Sequence, residues 1–326
     1  MKIKSMVILA AGFSIFSNSM AAAPIEVGLG TLKLNGVLQT VYGYSQTAKW
    51  SFSEKRVRLI FNGDMPEQRL KYLVQLEALV SPALLDARIQ AIGWLPRTDV
   101  FMGRFLPSFS FYMPRSTATL EMISYPLLVT RYAMWRQMGL QTTTRIQPLE
   151  LNLGVFNGYP ANNFSDNNQG KDLLFSASAK PLGCLQVLGY YWQGGTVLRS
   201  AYDTRRDRFG GGLCLERGLG RNTSLVVRGE AALGQDKPRP SGITSKSSGF
   251  YVHMGLKPHP KLEILGRWDK FDTQRADDGT AWFAVGVNYY LSGNNAALFA
   301  NYIHKEVELP GAAQNDELLF QVQVAF

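Results

Sequence analysis

The sequence predicts an all-β protein, a transmembrane antiparallel β-barrel of about sixteen strands with a long third extracellular loop folded into its lumen. Three observations lead there. Short segments alternate apolar and polar side chains with period two; very short turns take turns with longer polar connections; and beyond the first residues no apolar run is long enough for a spanning helix. Composition agrees, because charged residues are only 18% of the chain and aromatics 12%, which suits an apolar exterior with aromatic girdles.

The opening residues read as an export signal. Lys2 and Lys4 precede an apolar stretch, 6–16, and then Ser19, Met20 and Ala21 supply a small-x-small cleavage pattern. Residues 1–21 are expected to be removed, leaving 22–326 as a single barrel domain in the bacterial outer membrane, in contact with its lipid.

The strands follow in order. Segment 32–44 sets Leu32, Leu34, Leu38 and Tyr42 against Lys33, Asn35 and Gln39. Segment 52–62 sets Val57, Leu59 and Phe61 against Arg56, Arg58 and Asn62; 69–79 sets Tyr72, Val74 and Leu76 against Lys71, Gln75 and Glu77. In 84–95, Ala87, Ile89 and Ala91 oppose Asp86, Arg88 and Gln90. Arg or Lys on the lipid face costs about 2 to 4 kcal/mol at the midplane, so the charged faces point inward. The same argument turns Arg145, Arg228 and Arg267 to the lumen. The beat continues through 99–105, 134–146, 149–156, 172–180, 184–193, 206–216, 223–233, 248–257, 261–271, 280–291, 296–307 and 317–326. The last segment alternates Leu318, Phe320, Val322, Val324 and Phe326, the pattern that outer-membrane barrels present to their assembly machinery, so Phe326 is expected to engage it.

Between 103 and 137 the beat breaks. Pro107, Pro114 and Pro126 cannot donate to a ladder, yet the stretch is too apolar for a disordered tail. It is expected to form a constriction over about 105–133, since a loop of this size is usually functional. Arg104, Arg115, Arg131 and Arg136 lie here with one acid, Glu121. Together with the wall residues Arg56, Arg58, Lys71 and Arg88 they are the candidate anion-binding residues, because guanidinium forks fit carboxylate and phosphate and rings of Arg and Lys select anions in pores.

The whole chain carries +9; without Lys2 and Lys4, 32 basic side chains face 25 acidic ones, a balance of +7. Export argues against nucleic acid as partner and for small anionic or hydrophilic solutes. No cofactor or metal is expected: Cys184 and Cys214 fit no common zinc spacing. They fall on consecutive strands, so an exported chain could join them. Catalysis is not expected either: His259 lies between Pro258 and Pro260 in a short turn, and His253 and His304 lack a matching Ser or Asp motif.

Segments 53–64 (SEKRVRLIFNGD), 70–79 (LKYLVQLEAL), 85–92 (LDARIQAI) and 103–109 (GRFLPSF) resemble the phosphate-selective porin O and P family. The resemblance covers most of the first half of the chain. It implies a sixteen-stranded trimeric channel narrowed by its third loop and lined by basic side chains. The Gly-Arg-Phe core matches at Gly103, Arg104 and Phe105, whereas Leu106 stands where members commonly carry Lys.

Overall fold

The computed structural model describes residues 24–81, 83–158, 166, 170–197, 203–238, 242–273, 279–308 and 315–326. The expected export signal and its cleavage site lie outside them. The alternating segments pair as antiparallel strands, each with its neighbour in sequence. They begin with β1 (Ile25–Val27), β2 (Gly30–Ser45), β3 (Lys49–Met65), β4 (Leu70–Glu77), β5 (Leu84–Leu95) and β6 (Thr98–Phe105). After a long connection come β7 (Gln137–Ile146), β8 (Leu149–Phe156), β9 (Asp172–Leu182), β10 (Leu185–Val197), β11 (Asp203–Gly218) and β12 (Ser224–Pro238). The chain ends with β13 (Ser245–His259), β14 (Leu262–Asp272), β15 (Thr280–Ser292), β16 (Ala296–Val307) and β17 (Glu317–Ala325).

β17 pairs with β2, from Glu317 opposite Ser45 to Ala325 opposite Val37, so β2 to β17 close into a barrel of sixteen strands. Closure leaves no sheet edge with unpaired backbone groups. β1 adds a three-residue ribbon on β2.

Side chains sort by parity. Along β13, Val252, Met254 and Leu256 are exposed while Tyr251 and His253 are buried; along β15, Phe283, Val285, Val287 and Tyr289 are exposed while Ala284 and Asn288 are buried. Inner positions elsewhere hold Gln39, Gln141, Thr143, Asn152, Ser176, Asn301 and Gln323, all buried. Apolar outside and polar inside inverts the usual soluble arrangement. On the outer face Tyr42 packs on Phe52 and Trp50, with ring centroids 4.4 and 5.0 Å apart.

Most strands run a few residues past the alternating segments, and two boundaries beside the loops differ in an informative way. The alternating segments end at 233 and resume at 248, but β12 runs on to Pro238 and β13 begins at Ser245, with Gly234 opposite Ser247 and Asp236 opposite Ser245. Beyond the apolar band a hairpin needs backbone pairing and not apolar side chains, so composition does not mark its end. β7 begins at Gln137 rather than 134, because Trp135 takes a left-handed φ of 50° and Met134 is buried with the loop.

The long connection, 106–136, lies between β6 and β7. Pro126 precedes helix α1 (Leu127–Tyr132), its fixed φ preparing the first turn, and Ser116 accepts a hydrogen bond from the Ala118 N–H at the start of a 3-10 turn, Thr117–Thr119. The loop's apolar face forms the main buried core. Phe109, Phe111, Tyr112, Met113, Leu127, Leu128 and Tyr132 pack with Phe156, Tyr190, Trp192, Tyr251 and Phe271 from the wall. Phe109 lies 4.4 Å from Tyr190, and Tyr132 meets Phe271 edge-on at 5.1 Å. Each such side chain contributes about 1.5–3 kcal/mol when fully buried, which opposes release of the loop into water.

Candidate functional site

Inward polar residues of β3, β12 and β14 to β17 hold the loop. From β14, Asp269 Oδ1 accepts from Leu127 N at 2.9 Å, and Arg267 donates to the carbonyls of Ser124 and Tyr125 at 2.8 and 3.2 Å. Asn301 on β16 accepts from Ile123 N at 2.9 Å, and Asn288 on β15 donates to Glu121 O at 2.8 Å. Gln323 on β17 donates to Ala118 O at 2.9 Å, and Arg58 on β3 donates to Thr117 Oγ1 at 2.9 Å. Glu230 on β12 accepts from Phe111 N, Tyr190 and Tyr251 at 3.1, 2.9 and 3.2 Å. These partners come from β3, β12 and β14 to β17, so the loop lies inside the barrel against that part of its wall.

The one acid of the loop is its electrostatic hub. Glu121 Oε1 is 2.9 Å from Arg115 Nη1 and 3.1 Å from Arg228 Nη2. Burial alone would raise its pKa, but Arg228 and Arg115 overcome that and hold the carboxyl at about 2. Arg228 also donates to the Tyr112 hydroxyl at 3.2 Å. Burial and the adjacent Glu121 push that phenol up to about 12, so it remains neutral.

Between the loop's first half and strands β3 to β8 a cavity of about 480 Å³ remains open. Arg58, Arg88, Arg115, Arg136 and Arg145 line it with the acids Asp86 and Glu150. A second cavity of about 330 Å³ continues toward β9 to β12 and shares Ser108, Pro114, Arg115, Glu150 and Asn152. Most of the arginines are engaged. Arg58 pairs with Glu77 at 2.7 Å, Arg136 with Asp86 at 2.9 Å, and Arg145 with Asp99 and Glu150 at 2.7 and 3.0 Å. Arg88 forms no ion pair among the described residues; its guanidinium lies 5.4 Å from the Phe101 ring centroid.

Of the eight candidate residues, the cavity therefore gathers Arg58, Arg88, Arg115 and Arg136. The other four stand elsewhere. Arg104 is buried in the wall opposite Ala87 and Met138 and donates Nε to Leu85 O at 2.7 Å. Arg56 donates to Gln39 and lies 5.7 Å from the Tyr125 ring, within the loop–wall contact. Lys71 is exposed near the short turns, opposite Asp64. Arg131 is exposed on α1, 5.8 Å from the Phe271 ring at the long-loop end of β14. Spacing along the chain cannot tell an arginine that supports a loop from one that lines its open side.

Arg228, Arg267 and Glu230, which hold the loop, were legible as inward residues but not as its anchors. Cys184 and Cys214 are free thiols: Cys214 pairs in register with Gln186, and Cys184 sits across from Glu216, so neither strand offers the other cysteine directly. One histidine does find an acid, against the sequence reading. His304 Nδ1 is 2.7 Å from Asp316 Oδ1, brought there by the β16–β17 hairpin rather than by a local motif, and its Nε2 meets Glu306 at 3.3 Å.

No family model and no curated protein matches this chain. Solved structures do. An anion-selective porin from Comamonas acidovorans superposes with a TM-score of 0.73 at 13% identity, covering 91% of this chain and all of that one. OmpT of Vibrio cholerae gives 0.68 at 11% identity over 93% of this chain and all of that one. The outer membrane channel DcaP of Acinetobacter baumannii gives 0.64 at 11% identity, covering 91% of this chain and 97% of that one. Identities this low establish a shared barrel fold and nothing beyond it.

Proposed function

We propose that this chain is an outer-membrane porin, a passive diffusion channel for small hydrophilic solutes that favours anions. The observation that carries this reading is the composition of the cavity: five arginines against two acids, beside a loop that lies inside a closed barrel. A barrel whose outer face is apolar belongs in lipid, with its short turns toward the periplasm. The structure named anion-selective among the similar folds supports the preference, and the one described in trimer form supports a homotrimer.

The preference has a physical basis. Four of the five arginines are paired with carboxylates, so the positive potential rests chiefly on Arg88, which forms no ion pair among the described residues; low-dielectric walls strengthen its pull on anions relative to bulk water. Phosphate is one anion to try, on the strength of the segments quoted above, although Leu106 lines the cavity with an apolar side chain. Purified protein in a planar bilayer under a potassium chloride gradient provides the test. A reversal potential on the chloride side is expected; a cation-selective pore, or no pore, overturns the reading.

A further inference from the structure

The cavity that carries the anion reading is not uniformly polar. Ile60, Leu73, Phe101, Phe105 and Leu106 line it together with the arginines. Ile60, Leu73 and Phe101 occupy inward positions on β3, β4 and β6, whereas the neighbouring β7 and β8 line the same cavity with Gln141, Thr143 and Asn152. Two of them adjoin one cation, Leu73 by register and Phe101 by its ring 5.4 Å from the Arg88 guanidinium. Leu73 lies directly opposite Arg88, Ile60 opposite Gln75, and Phe101 opposite Gln90. On its other side Arg88 faces Gly103, which has no side chain to cover it. The nearest acid, Asp86, is occupied by Arg136 at 2.9 Å.

We infer that this cavity recognises carboxylates with an apolar or aromatic body, Arg88 taking the charge while Phe101, Leu73 and Ile60 take the body. The inference rests on the anion-channel reading and narrows it to a substrate class. A small inorganic anion placed here loses hydration to an apolar wall that returns no hydrogen bond. An aryl or alkyl carboxylate loses less, because its body prefers that wall, and its charge meets Arg88, which no carboxylate holds among the described residues. The Phe101 ring beside the guanidinium shows that an aromatic face and this cation already fit together, 5.4 Å apart.

The test uses the full chain in planar bilayers at neutral pH, with chloride carrying the current. Acetate, butyrate, hexanoate, benzoate and phosphate are added in turn, and the concentration that halves the current is read. Half-block is expected to fall steadily from acetate to hexanoate, and benzoate is expected to act at roughly tenfold lower concentration than acetate. Phe101→Ala should bring the benzoate-to-acetate ratio toward one, and Arg88→Gln should weaken both. Acetate or phosphate blocking as well as benzoate in a pore that is anion-selective overturns this inference and leaves the porin reading standing. A cation-selective pore overturns both. The wild-type series decides by itself if either variant fails to fold, and a folded Phe101→Ala that keeps the full ratio also sinks the proposal.

Discussion

Arg228 on β12 and Glu121 in the long loop meet at 3.1 Å, joining the wall to the middle of a loop 107 residues away in sequence. Both side chains are nearly covered, at 5% and 12% exposure. The contact matters because Glu121 also holds Arg115, so a single carboxylate keeps two guanidinium groups in place. Glu121→Ala would leave Arg115 with the Thr119 carbonyl and Arg228 with the Tyr112 hydroxyl and the more distant Glu216, at 3.7 Å. Removing one member of a buried ion pair costs about 3 kcal/mol or more, here subtracted from the docking of the loop. Single-channel recordings should show a larger and noisier conductance; a quiet pore of wild-type size would refute the pinning role.

The same carboxylate sets an acid limit. Its pKa is held below the ordinary 4.5, at about 2. A depressed carboxyl contributes its full stabilisation above the unfolded value, loses it progressively as pH falls from 4.5 through about 2, and contributes nothing below that. Conductance is therefore expected to stay level between pH 7 and pH 5 and to rise or flicker only as pH drops below about 4. Glu121→Gln should show the low-pH behaviour already at pH 7. A wild-type conductance change centred near pH 6 would assign acid sensitivity to another group.

Glu230 anchors the loop's other arm. It accepts from the Phe111 N–H and from the hydroxyls of Tyr190 and Tyr251, all in the buried core. Glu230→Leu would leave those donors unpaired at about 1–3 kcal/mol each, whereas Glu230→Gln keeps one acceptor oxygen. The temperature at which the folded band disappears in a detergent gel should drop clearly for the leucine variant and less for the glutamine variant. Equal thermal resistance of Glu230→Leu and the wild type would show that this acid holds nothing.

Much of this fold is legible in the sequence because a lipid-facing barrel imposes a period of two wherever it meets the membrane. Val252, Met254 and Leu256 could be placed outside from alternation alone, and Arg228 and Glu230 inside. The site is less legible, since it is made by contacts between residues far apart in the chain. Nothing near Arg136 announces Asp86, 50 residues earlier, and nothing near Arg88 announces that it lacks such a partner. Counting the loop's arginines could not separate Arg115, which lines the cavity, from Arg131, which looks out from α1. Phe101 carried no signal at all: an aromatic residue in a barrel strand reads as lipid-facing until the register turns it inward.

That difference between arginines yields the most direct test of the cavity as the selective part of the pore. Arg88 is the lining cation without an ion pair among the described residues, while Arg131 is exposed beyond the cavity, stacked near Phe271. One uncompensated charge about 6 Å from a passing ion is worth close to 0.7 kcal/mol even at the dielectric of water, or roughly a threefold change in the anion-to-cation permeability ratio. Arg88→Gln should produce a shift of that order toward cations in a salt gradient, and Arg131→Ala should produce much less. Because charges are screened over about 10 Å at 0.1 M salt and about 3 Å at 1 M, the Arg88→Gln effect should shrink as salt is raised. Equal shifts for the two variants would mean that the net charge of the loop, and not the lining of the cavity, governs which ions pass.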